Sequence, residues 1–237
     1  LKKKKLQPNI FSGEYDQMNQ EIISLDKNKK FKKCELVIIG SDINSKLSNN
    51  EKFFHWELEF PQIFFDEEGK KKSNAGFDVI LGNPPYVGIK GVHINSEFTP
   101  KYFSEMYQSA TERFDYYILF AENCSRLLTP NGFLSFIMPH KFTNAQFGKG
   151  FRRFLSETNL LYSFLSLGHN FVFQDSTTYT GILTLKNSKN THFKYSEIMN
   201  IQTTLQNDIL ELKSSDFTPI EYDTLTEKPW VLAKKEV

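Results

Sequence analysis

The sequence predicts an α/β protein with polar extensions at both ends, and three observations carry that prediction. The runs "FDVILG", Phe77–Gly82, and "FLSFIMP", Phe133–Pro139, are too short for helices and are bounded by Gly or Pro. Between them, Thr111–Leu128 sets Phe114, Tyr117, Ile118, Ala121, Cys124 and Leu128 at helical spacing. After the second run, "NAQFGKGFRRFLSET" puts Phe147, Phe151, Phe154 and Leu155 on one face of a further helix. Strand, helix, strand and helix in alternation are the signature of helices layered on a sheet.

In chain order, residues 1–52 read as a polar, lysine-rich segment with an amphipathic piece around "MNQEIISL" and a short apolar run "CELVIIG". The aromatic stretch "FFHWELEFPQIFF", Phe53–Phe65, has strand or turn character, and "DEEGKKKSNAG" is a polar insert. "FDVILG" then fits a parallel strand buried on both faces. "TPNG" ends the first helix, and Pro139 closes the second strand. "LLYSFLSLG" and the alternating "STTYTGILTLK" read as two closing strands separated by "HNFVFQD", so the sheet is expected to finish near Lys186. Residues 53–186 form the expected catalytic part, and residues 187–237 a connector, with "SEIMNIQTTLQNDILELK" a candidate helix.

A chain of 237 residues with 39% hydrophobic content can bury a sizeable core. Its net charge of +1 excludes a strong uniform field for holding a polyanion, so any nucleic-acid contact must be local. The runs "LKKKKL" and "GKKKS" read as solvated tails and loop tips. Cys34 and Cys124 lack zinc or redox spacing, so buried thiols, no metal site and a reducing cytoplasm are expected. No apolar run approaches the roughly 20 residues of a membrane span, and no signal-peptide core follows the lysines. The start without Met and the end at "KPWVLAKKEV" suggest a piece of a longer polypeptide.

The stretch "FDVILGNPPYVG", Phe77–Gly88, raises the chemical question. In an open α/β sheet, ligands bind beyond the carboxyl ends of the strands, which is where Asn83 falls. Pro84 and Pro85 have no N–H, so the backbone there can only accept hydrogen bonds. The Asn83 side-chain oxygen and the Pro84 carbonyl are two fixed acceptors that could converge on an exocyclic amine. Gripping both hydrogens favours a tetrahedral nitrogen whose lone pair faces an electrophile, so positioning supplies the catalysis without a strong base. Tyr86 adds a face on which a planar base stacks, a contact worth about 1–3 kcal/mol. A rigid strand-end turn with a core tyrosine accounts equally well for these residues alone.

The wider pattern resembles the gamma class of adenine-specific DNA methyltransferases, especially those of type IIG restriction-modification enzymes. "GFDVILGNPPYV" resembles the catalytic motif with its strand, "FDYYILFAENCSRLLTPNGFLSFIMPHKF" the following helix and strand, and "GHNFVFQDSTTYTGILTLK" the closing motif. Order and spacing agree across roughly Phe53–Lys186. The resemblance implies the C-terminal half of a Rossmann-like methyltransferase sheet. It implies that Asn83 and the Pro84 carbonyl bind the target amine, and that Tyr86 and Phe173 stack on either side of an adenine extruded from double-stranded DNA. It places Glu59 and Phe60, in "LEFP", together with Pro85, on the side of S-adenosylmethionine. No G-x-G occurs before Asn83, so most of the cofactor site is expected upstream in the same polypeptide, and a DNA-reading specificity domain after Trp230. The same acceptor pair would also grip the amine of cytosine, an amide or an RNA base. The rival from another class is a non-catalytic DNA-binding or assembly module that kept the fold.

Overall fold

The computed structural model describes residues 15–25, 31–40, 54–88, 98–111, 113–170, 172, 178–198 and 213–232. The chain divides into two compact units, Leu1–Gly76 with His93–Met106, and Phe77–Val92 with Tyr107–Val237.

In the first unit, strands β1 (Tyr15–Leu25) and β2 (Phe31–Gly40) form an antiparallel hairpin with Leu25 opposite Phe31. The stretch expected to be strand or turn instead forms two one-turn helices, α1 (Trp56–Glu59) and α2 (Pro61–Phe64). Pro61 opens the second, where a missing N–H costs nothing. Aromatic rings rather than backbone ladders organise this stretch: Trp56 stacks on Phe60 at 5.8 Å, with Phe54 edge-on to Trp56 at 4.9 Å. Helix α3 (Phe98–Met106) completes the unit.

The second unit is built on a six-stranded mixed sheet of β3 (Phe77–Gly82), β4 (Leu128–Pro139), β5 (Leu161–Ser166), β6 (Thr180–Lys186), β7 (His192–Glu197) and β8 (Thr218–Glu221). The strand order is β3-β4-β6-β5-β7-β8. The pairs β3–β4 and β5–β7 are parallel; β6 runs antiparallel between β4 and β5, and β8 antiparallel to β7. The sheet therefore does not finish at Lys186. Alternation in "HFKYSE" buries Phe193 and Tyr195, which extends the core under β7.

Helices α4 (Tyr116–Ser125) and α5 (Lys149–Thr158) supply Tyr117, Ile118, Ala121, Phe151, Phe154 and Leu155 to one core with Leu134, Phe136, Met138, Phe164, Leu183 and Leu185 of the sheet. Asn159, in the left-handed conformation with φ 56°, stops α5. On residues of the alternate register, Ser135 and Thr184 hydroxyls pair at 3.2 Å, and Phe133 meets Tyr162 edge-on. Strand β3 departs from expectation. Among the described residues it is an edge strand, and Val79 and Leu81 are 57% and 75% exposed rather than buried.

Candidate functional site

Asn83 follows directly on β3 at its carboxyl end, beside the carboxyl end of the parallel β4. Gly82 pairs with Phe136 there, and a side chain at position 82 would bring its Cβ to 3.0 Å from the Phe136 ring. Glycine thus lets the two strands close up just below the turn. Asn83 is exposed and makes no hydrogen bond among the described residues; Pro84 is buried and Pro85 exposed. The buried proline holds the turn while the amide stays available.

Tyr86 is half-buried, and its phenol donates to the carbonyl of Ile137 on β4 at 2.9 Å. Its ring meets Tyr117 of α4 at right angles, 6.4 Å between centroids. Burial pushes the Tyr86 phenol up to about 12, so it remains a donor at neutral pH. The chain beyond is clamped as well: the Tyr116 N–H donates to Val87 O at 2.9 Å, and Gly88 bridges Asp115. Asn83 to Gly88 is therefore fastened to β4 on one side and to the start of α4 on the other. Burial raises the Asp115 carboxyl from its ordinary range, and the nearby Lys141 opposes that shift.

The structure brings Asn83, Pro84, Pro85 and Tyr86 into one turn. Glu59 and Phe60 belong to the other unit, where Glu59 is exposed on α1 and Phe60 is engaged by Trp56. Phe173 lies outside the described residues, as do the side chain of Cys34 and residues 199–212 of the candidate helix. Cys124 is buried as expected.

Sequence reasoning missed a polar cluster at the same carboxyl edge. His140 follows β4, with Nδ1 3.4 Å from the Ser166 hydroxyl, which itself accepts from the Gly168 N–H at 3.1 Å. The His140 N–H donates to Tyr179 O, and the Tyr179 ring lies 6.1 Å from His140 and 4.8 Å from His169. The available signal was a histidine directly after each of two apolar strand runs, "IMPH" and "LSLGH". Among the described residues no His, Cys, Asp and Glu grouping could hold a metal ion, and no helix is long and apolar enough to cross a membrane.

A mixed sheet whose parallel strand β3 runs at its carboxyl end into a proline-stiffened turn defines an α/β protein. Comparison with known proteins narrows this. The chain belongs to the Eco57I restriction-modification methylase family, whose model matches residues 3–173. It is 37% identical over 166 residues to the type II restriction enzyme and methyltransferase RM.Eco57I of Escherichia coli, covering 69% of this chain and 16% of that one. It is 31% identical over 111 residues to the type II methyltransferase M.BstVI of Geobacillus stearothermophilus, covering 46% of this chain and 19% of that one. The chain thus spans less than a fifth of the length of either relative. Among solved structures, a nuclease-deletion mutant of the Type ISP restriction-modification enzyme LlaGI aligns over 76% of this chain and 20% of that one, with 17% identity and a TM-score of 0.49.

Proposed function

We propose that this chain carries the target-amine side of a DNA adenine methyltransferase of a restriction-modification system, working in the cytoplasm. The observation that carries the reading is the turn Asn83–Tyr86, whose amide is exposed while Pro84 is buried and its tyrosine is tied to the neighbouring strand. Family membership supports methyl transfer as the chemistry.

In this mechanism the Asn83 side-chain oxygen and the Pro84 carbonyl accept the two hydrogens of the adenine amine. The base, extruded from the duplex, stacks on Tyr86, with Phe173 on its other face. S-adenosylmethionine would supply the electrophilic methyl. Glu59, Phe60 and Pro85 are proposed on its side, and without a glycine-rich turn before Asn83 they account for only one end of it. The rest is proposed to come from elsewhere in the same polypeptide, as is the domain that reads the DNA sequence. Asn83 and Pro84 would hold the nitrogen lone pair toward the incoming carbon; the N–C bond would form as the donor's S–C bond breaks and its sulfur leaves as a neutral thioether, and the surplus proton would pass from the methylated nitrogen to solvent.

In the whole polypeptide, Asn83→Ala should lower methyl transfer to duplex DNA by at least about a hundredfold, because a preorganised acceptor is lost. Retained transfer overturns the assignment. Sequencing the methylated product separates adenine from cytosine. Failure of the whole polypeptide to bind S-adenosylmethionine would favour a non-catalytic module instead.

A further inference from the structure

We propose that His140 contacts a backbone phosphate beside the target base, a role that rests on the reading of the chain as a DNA methyltransferase. Tyr86 is joined to β4 through its phenol. Its phenol reaches across to Ile137 O, so the ring on which the base stacks leans over the carboxyl end of β4. His140 lies three residues further along that strand's exit. At a rise of about 3.3 Å per residue, this is roughly 10 Å beyond the anchor point. A purine nucleotide spans a similar length from its amine to its phosphate. A base held at its amine by Asn83 therefore presents its sugar and phosphate, not the reacting nitrogen, to His140.

The chemistry of the cluster suits a phosphate oxygen. His140 is half-buried, and His169 and Lys141 beside it are exposed. Burial lowers the His140 pKa; His169 and Lys141 lower it further, and Glu197 opposes them. The ring is thus neutral at neutral pH and carries one N–H. The Ser166 hydroxyl, already accepting from the Gly168 N–H, lies 3.4 Å from Nδ1, and in the tautomer in which Nδ1 accepts the ring proton is on Nε2. Tyr179 fixes the ring's base through the bond from the His140 N–H to its carbonyl. Ser166 is itself buried, so the support beneath the imidazole is rigid. A positioned neutral donor beside an exposed lysine is a usual way to seat a phosphate.

The test uses the whole polypeptide and duplexes in which the phosphates next to the target base are replaced, one at a time, by neutral methylphosphonates. Wild type should lose about tenfold in affinity at one of these positions, as expected for a hydrogen bond to a charged group. His140→Ala should show that same loss on unmodified DNA and become indifferent to the substitution at that position. Because the perturbation in the first arm lies in the DNA, a misfolded variant cannot imitate it. If wild type binds and methylates DNA but no neighbouring methylphosphonate weakens it, or if His140→Ala keeps the full sensitivity, this role is wrong and the methyltransferase reading stands. If wild type neither binds nor methylates duplex DNA, both fall.

Discussion

Tyr86 separates two contributions that a single substitution would confound. Its hydroxyl stitches the turn to Ile137, and its ring is the proposed face for a base. Tyr86→Phe removes only the bond, at a cost of about 1 kcal/mol, so a modest drop in melting temperature with base stacking retained is expected. Tyr86→Ala removes the ring as well. The fluorescence of 2-aminopurine at the target position should then report a base that is no longer held against an aromatic face; equal signals from the two variants would exclude Tyr86 as the stacking partner. Cys124 offers a plainer residue-level outcome. Burial pushes its thiol up to about 12, so at pH 8 almost no thiolate exists to react. Iodoacetamide should leave it unmodified in the native protein and label it after denaturation, as read by mass spectrometry. The Asn83–Tyr86 turn was legible because its chemistry sits in consecutive residues behind an apolar run. His140 was not, since its meaning depends on Ser166 and Tyr179, brought to it only by the antiparallel β6 and its neighbour β5.

At the scale of elements, α4 does more than cover the sheet. Its Glu122 is fully buried and accepts from the N–H groups of Gln108 and Ser109, at 3.0 and 2.8 Å, and from Arg126. The helix thereby anchors the loop that precedes it. Glu122→Ala would leave those two N–H donors unmatched and take from the guanidinium its carboxylate, a loss of about 3 kcal/mol, measurable in a denaturant melt. Sequence periodicity located this helix but did not distinguish Glu122 from a solvated charge, because helical spacing says nothing of a helix buried on nearly every side. Strand β3 failed in the opposite sense. Its apolar run predicts cover on both faces, as parallel strands have, yet Leu81 is 75% exposed. The proposed upstream part of the polypeptide resolves the conflict if it adds a strand at this edge. Leu81→Lys should then change the stability of this chain alone by no more than about 0.5 kcal/mol, and that of the whole polypeptide by about 2 kcal/mol or more. Equal effects in both would rule out a joint at β3.

At the scale of the whole molecule, the described residues after Lys186, 187–198 and 213–232, are structural members of the second unit. Composition made them look like a connector, because their apolar residues are few and widely spaced. Among the described ones, Phe193, Tyr195, Ile198, Tyr222, Leu225 and Trp230 are nonetheless buried. Tyr222 donates to Leu161 O at 2.6 Å, and Trp230 packs between Phe142 and Phe193. The Trp230 N–H donates to Thr143 O, and its indole to Thr226 O. Arg152, 1% exposed on the otherwise apolar face of α5, ties the arrangement together by donating to Phe142 O, Ala145 O and Glu227 O. Its charge is spent on these three carbonyls, and two of them belong to the turns that follow His140. The closing segment thus braces the ledge on which that histidine stands. Trp230→Ala should cost about 3 kcal/mol through the cavity it leaves. Ending the chain at Lys186 should go further, removing β7, β8 and the clasp together. Near-ultraviolet circular dichroism of that truncated chain should show lost aromatic packing, whereas ending it after Leu232 should leave the spectrum intact. A cooperative melt at the parent temperature after truncation at Lys186 would show that the segment is an appendage after all.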